Sequence, residues 1–198
     1  MFWETFLEGI YNTSLSEWIA VLTGLCYVIL AAYGVRLAWF FAFVSTLIYM
    51  LLTFNRHLYI ESFLQLFYVI MAVYGWFSWR KKTQSNFKVE KWPYKFHLIN
   101  VFASTALAIM IGYFFGNYTN QKVQYLDAFT TVFSLLATFM VAKKILENWL
   151  YWIVINIGLF FLYLSGEMYL TAFQYLVFSG LAVFGYLRWY KLYKSQIK

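Results

Sequence analysis

Along this chain, long apolar runs alternate with short polar breaks, and each run continues too far without a charge to be a half-buried strand. Seven runs stand out: 17–33, closed by Gly34 and Arg36; 37–54, ending at Asn55-Arg56-His57; 58–79, stopped by Arg80-Lys81-Lys82; 96–115, followed by Gly116-Asn117; 124–141, stopped by Lys143-Lys144; 147–164; and 168–189. Runs of about 18–20 apolar residues match the hydrocarbon thickness of a bilayer. Backbone groups in lipid must find partners within their own segment, so the pattern predicts seven transmembrane helices. A polar stretch, 83–95, holds the single proline, Pro93, and reads as a linker. Residues 1–16 carry Glu4 and Glu8 where a secretory signal needs basic residues, so they read as an interfacial or periplasmic segment.

Composition sharpens the class. Of 198 residues, 63% are hydrophobic, 25% aromatic and only 12% charged, which describes an integral membrane protein rather than a soluble domain. The net charge of +7 lies in the breaks between runs, so it reports membrane orientation and not nucleic-acid binding. Assigning the breaks to alternate sides puts thirteen Lys and Arg on one side and two, Arg56 and Lys122, on the other. Basic loops stay in the cytoplasm. The N-terminus is therefore expected outside, the C-terminal tail from residue 192 inside, and the number of spans odd. The single Cys26 excludes an internal disulfide and a cysteine metal site.

The chain repeats itself at an offset of 110 residues. Trp39 falls on Trp149, Val44 on Val154, Tyr59 on Tyr169 and Phe63 on Phe173 without a gap. Residues 72–81 (AVYGWFSWRK) fall on 182–191 (AVFGYLRWYK). The first three runs, 17–82, thus echo the last three, 124–191. Three spans reverse the chain, so the fourth, within 83–116, is needed for the second copy to enter from the same side. The expected fold is an all-α 3+1+3 parallel repeat. Such repeats bind substrate between the halves, near the midplane.

The polar positions inside the runs locate candidate chemistry. Trp149, Trp152 and Asn156 lie at i, i+3 and i+7, so two indoles and a carboxamide share one helix face, with Tyr163 two turns further on. That face admits two readings: packing glue with interfacial anchoring, or a site for a flat, cationic ring held by aromatic faces and amide hydrogen bonds. Glu61, Gln65, Tyr68 and Ala72 form one stripe, and Asp127, Thr131, Ser134 and Thr138 another at the same spacing. The second run adds Ser45, Thr46, Tyr49 and Thr53, and the seventh adds Gln174 and Tyr175. For the threonines alone, bonding to their own or a neighbouring helix is the plainer role. Glu61 and Asp127 fall near outer helix ends, where capping is the plainer role and drawing in a cation the second.

At this level of detail the chain resembles the PnuC family of bacterial vitamin transporters. The resemblance rests on Glu147-Asn148-Trp149-x-x-Trp152-x-x-x-Asn156, on Tyr74-Gly75-Trp76-x-x-Trp79, and on the segment from Leu58-Tyr59 to Gln65. It implies a full-length relative of the SWEET architecture. It also implies facilitated diffusion of an unphosphorylated precursor, nicotinamide riboside, which a cytoplasmic kinase traps, and a homo-oligomer, a trimer. By the same resemblance Trp149, Trp152, Asn156 and Gln65 contribute to the substrate site; Tyr68, Glu61, Thr46, Ser134 and Asp127 complete the candidate set. Ser45 and Ala72 stand where the resemblance implies asparagine, and thiamine carriers share the scaffold, so thiamine is the alternative substrate. Both molecules present an aromatic cation that indole and tyrosine faces attract.

No glycine-rich phosphate loop or Walker motif occurs, and no cofactor or metal is expected. His57 and His97 sit at span ends, where snorkelling or capping is expected. An intramembrane enzyme lacks its nucleophile–base pair or metal cluster in this sequence. A non-transporting sensor would explain the aromatic packing but not the repeat.

Overall fold

The computed structural model describes residues 14–55, 59–79, 87–118, 124–165 and 169–197. Among them are seven helices: α1 (Leu15–Ala32), α2 (Ala38–Asn55), α3 (Tyr59–Ser78), α4 (Tyr94–Tyr118), α5 (Gln124–Ala142), α6 (Asn148–Ser165) and α7 (Tyr169–Ile197). Each corresponds to one apolar run. Three of them, α1, α4 and α5, are long and apolar enough to cross a membrane on length and composition, and α2, α3 and α6 contain shorter apolar cores. Residues 1–13, Arg56 and His57 lie outside the described residues. The first helix starts where Ser14 accepts a hydrogen bond from the Glu17 amide at 3.2 Å, satisfying one of the free N–H groups of the first turn.

The helices pack as a ring. Neighbours run α1–α2–α3–α5–α6–α7 and close back from α7 onto α1, while α4 lies outside and packs along α5. Ala20, Ala31, Ala38, Ala137, Ala142 and Ala172 are almost wholly buried, small residues that let helix backbones approach closely. Large apolar residues such as Phe63, Phe102, Ile109 and Met110 face outward. That inversion of the usual soluble pattern suits a lipid surround.

The turn between α1 and α2 and the turn between α5 and α6 are built alike. At the first, Gly34 adopts φ +69°; its N–H bonds Ala31 O at 2.9 Å, and Val35 N–H bonds Leu30 O at 3.0 Å. At the second, Lys144 adopts φ +60°; its N–H bonds Val141 O at 2.9 Å, and Ile145 N–H bonds Met140 O at 2.9 Å. Each of these residues sits 110 positions from its counterpart. A left-handed residue closing the last turn satisfies orphan carbonyls. Glycine does so without strain, whereas a Cβ-bearing lysine does not.

Two elements depart from the expected boundaries. Helix α7 continues past Trp189 to Ile197, because Lys191 and Lys194 extend along its polar end while Tyr186 and Tyr190 stack at 5.9 Å. The linker is also more than a tether. Residues 87–93 cross one end of the ring, where Glu90 N–H bonds Lys144 O at 3.0 Å and Leu146 N–H bonds Glu90 O at 2.8 Å. Val89 is buried there. Lys144, half-buried beneath this strap, has its ammonium pKa lowered by burial, partly offset by the Glu90 carboxylate. Polarity marked 83–95 as a loop but could not indicate that its apolar residues, Phe87 and Val89, turn inward.

Candidate functional site

Two tryptophans stand at matching places in the ring. Trp149 on α6 is 3% exposed and Trp39 on α2 is 1% exposed. Each indole lies over a glycine of the next helix: Trp39 over Gly75 of α3, and Trp149 over Gly185 of α7, where a Cβ would come within 2.7 Å of the ring. Each meets a second indole edge-on, Trp39 with Trp79 at 5.4 Å and 86°, Trp149 with Trp189 at 5.4 Å and 89°. Those second indoles bond across the ring: Trp79 Nε1 donates to Ala142 O and Trp189 Nε1 to Ala31 O, both at 3.1 Å. Among the described residues, the Nε1 groups of Trp39 and Trp149 have no acceptor. Buried donors rarely stay unsatisfied, which sets these two indoles apart from the bonded pair.

Trp152 is half-buried and joins two clusters, one with Trp149 and Phe67 and one with Phe133 and Ile155. One turn further along α6, Asn156 is 4% exposed. Its carboxamide places both donors and an acceptor within an apolar helix. Gln65 and Tyr68 are half-buried on one face of α3, and both are engaged in contacts of their own. The side chain of Glu61 lies outside the described residues, as does that of Tyr163.

The other candidates are tied into the scaffold. Thr46 Oγ1 donates to Ala42 O of its own helix at 2.8 Å, and Thr138 Oγ1 donates to Ser134 O at 2.8 Å. Ser134 is buried on the α5 face, and Asp127 lies in the first turn of α5, where a carboxylate complements the helix dipole. Ser45 Oγ donates to Ala20 O at 2.8 Å and so links α2 to α1; Gly24 leaves room for it. At the linker end, His97 Nδ1 lies 3.1 Å from the Tyr151 hydroxyl and its Nε2 lies 3.8 Å from Glu147. The histidine thus docks α4 against α6. Among the described residues no three His, Cys, Asp or Glu side chains converge as metal ligands.

Sequence reasoning missed Trp39 and Glu17. The Tyr49 hydroxyl hydrogen-bonds Gln174, close to the Glu17 carboxylate, so α1, α2 and α7 share a polar cluster at the ring end far from the linker. The 110-residue offset was sufficient to find both residues: it pairs Trp39 with Trp149 and Glu17 with Asp127.

Comparison with known proteins follows the same lines. Residues 14–191 match the family model described as nicotinamide mononucleotide transporter. The nicotinamide riboside transporter PnuC of Escherichia coli (strain K12) is 24% identical over 208 residues, covering 91% of this chain and 87% of that protein. The protein of the same name from Neisseria mucosa is 25% identical over 189 residues, covering 89% and 72%. A crystal structure of the vitamin B3 transporter PnuC superposes with a TM-score of 0.77 at 23% identity, over 98% of this chain and 88% of that one, which establishes the fold. The chain is a helical membrane protein that belongs to the nicotinamide mononucleotide transporter family, as its resemblance to the PnuC proteins implied.

Proposed function

We propose that this protein carries nicotinamide riboside across the bacterial inner membrane by facilitated diffusion, and that a cytoplasmic kinase traps the product. The observation that carries the substrate is the pair of relatives named nicotinamide riboside transporter, which cover 91% and 89% of the chain. The site is consistent with that substrate. Indole faces attract a pyridinium ring, and Asn156 offers both halves of a hydrogen-bond pair to a carboxamide or a ribose hydroxyl. The matched family is described by the mononucleotide, but the middles of the helices suit the riboside better: Lys and Arg lie in the breaks and towards helix ends, so among the described residues no cation stands beside Asn156 to pair with a phosphate.

The fold is read as two three-helix units, α1–α3 and α5–α7, facing the same way and inverted by α4. The alike turns at Gly34 and Lys144, the alike Trp-on-Gly contacts and the reciprocal indole bonds to Ala142 and Ala31 support it. Parallel units of this kind act as carriers by rocking about a central site. The thirteen-to-two basic asymmetry supports an N-terminus outside and a cytoplasmic C-terminus. The largely outward-facing α4 leaves apolar surface for lipid and for the copies of a homotrimer.

One observation favours a second reading. Ser45, where riboside carriers are expected to have asparagine, is bonded to Ala20 O and is not free for a ligand, which leaves thiamine as the alternative cation. Calorimetric titration of the purified protein with nicotinamide riboside, thiamine and nicotinamide mononucleotide tests the assignment. Binding of the riboside alone is expected; preference for thiamine would replace it, and preference for the mononucleotide would overturn the argument from absent cations.

A further inference from the structure

Four aromatic contacts form a palindrome across one end of the ring. Trp39 meets Trp79 at 5.4 Å, Trp79 meets Phe87 at 5.0 Å and 73°, Phe87 meets Trp189 at 5.3 Å and 70°, and Trp189 meets Trp149 at 5.4 Å. Phe87 is the centre of this series and the only member that comes from the linker. The two indoles flanking it belong to opposite halves, and each is bonded to the other half through Ala142 or Ala31.

Room for the ring is built in. Gly34 has no side chain, and a Cβ there would come within 2.9 Å of the Phe87 ring. The Lys144 ammonium lies 5.0 Å over the same ring from the other half, so the two left-handed turn residues flank one phenyl group. The backbone that carries it is fastened to the second half: Phe87 O accepts from Gln196 at 3.2 Å, Glu90 pairs with Lys144 and Leu146, and the Trp92 amide lies 3.4 Å from Glu147.

We infer that Phe87 is the plug that closes the linker end of the transport pathway. Trp79 and Trp189 also meet each other at 6.2 Å, so Phe87 caps a triangle of three rings, and its contact with one indole must break before the two halves can part there. The strap stays with the second half, so the contact with Trp79 is the one that breaks. Edge-to-face ring contacts favour the closed state, and removing them shifts the population towards the open one. This rests on the carrier reading, and in the proposed orientation the plugged end faces the cytoplasm.

The test places a reporter, Asn156→Cys, in a Cys26→Ser background and measures its reaction with a membrane-impermeant maleimide in inside-out and right-side-out vesicles. With Phe87→Ala added, labelling from the linker side is expected to accelerate about tenfold, the effect of removing two ring contacts from the closed state, with labelling from the other side unchanged. Phe87→Leu, an apolar residue without ring contacts, is expected to fall between and decides the matter if the alanine variant fails to fold. Equal rates with and without Phe87, including no reaction in either, would overturn the plug. Nicotinamide riboside titrated into the parent and into the Phe87→Ala protein, both with Asn156 intact, separates the two ideas. Failure of the parent to bind sinks the riboside assignment and leaves the labelling result standing.

Discussion

At the scale of single residues, the site is an economy of unsatisfied groups. The indole N–H groups of Trp39 and Trp149 lack acceptors among the described residues and Asn156 is a buried carboxamide, whereas Thr46, Ser45 and Thr138 are bonded to backbone carbonyls. Unsatisfied buried groups cost about 1–3 kcal/mol each, so in the proposed site the indole donors and the Asn156 carboxamide are where a ligand would gain most, and the bonded hydroxyls where it would gain least. Asn156→Ala and Trp152→Ala are therefore expected to weaken nicotinamide riboside binding by about tenfold each, one hydrogen bond or one ring face lost; Asn156→Ala should change the melting temperature little, whereas Trp152→Ala should lower it, because that indole packs in two clusters. Thr46→Val is expected to leave binding within about threefold, since its hydroxyl faces its own helix. Titration calorimetry on the three variants checks the division, and a Thr46→Val loss matching that of Asn156→Ala would reverse it.

At the scale of elements, what was legible in the sequence was what apolar length and charge can encode. All seven runs became helices, six of them close to their expected limits and α7 extended to Ile197, because a long apolar segment in lipid must satisfy its backbone within itself unless it closes into a barrel. The face bearing Trp149, Trp152 and Asn156 was legible from spacing alone. What was not legible depends on packing across the ring. Nothing in the motif says that Trp149 packs edge-on against Trp189, or that Phe87 leaves a polar linker to lie between two indoles. The glycines beneath the tryptophans provide a test. A methyl group at Gly185 would sit 2.7 Å from the Trp149 ring, and overpacking of this kind costs about 1–3 kcal/mol. Gly75→Ala and Gly185→Ala are both expected to lower the melting temperature in detergent, whereas Gly180→Ala, with open space around it, is expected to raise helix stability slightly. The turn residues differ in the opposite sense: Lys144 holds φ +60° where its counterpart is glycine. Lys144→Gly is expected to relieve strain and burial of the ammonium together, stabilising by about 1 kcal/mol in the same melting assay, with a loss of stability counting against it.

At the scale of the whole molecule, the ring and the charge asymmetry bear on the proposed orientation, in which the end carrying the strap faces the cytoplasm. Basic residues gather at that end because Arg36, Lys143, Lys144 and the lysines of 88–95 and 191–194 all belong to the linker side of the ring. Several are held against aromatic rings there: Arg36 lies 3.8 Å over Trp76 and Arg188 lies 3.7 Å over Tyr33, contacts suited to a membrane interface, where an amphipathic ring and a cation share one depth. Leu15, 77% exposed at the start of α1, marks the opposite end, and Gln196 lies in the last turn of α7. In a Cys26→Ser background, Leu15→Cys is expected to react with an impermeant maleimide in intact cells, and Gln196→Cys only after the membrane is opened. The reverse pattern would invert the carrier and move Phe87 to the outer face, leaving the ring intact but making the plug guard entry instead of release.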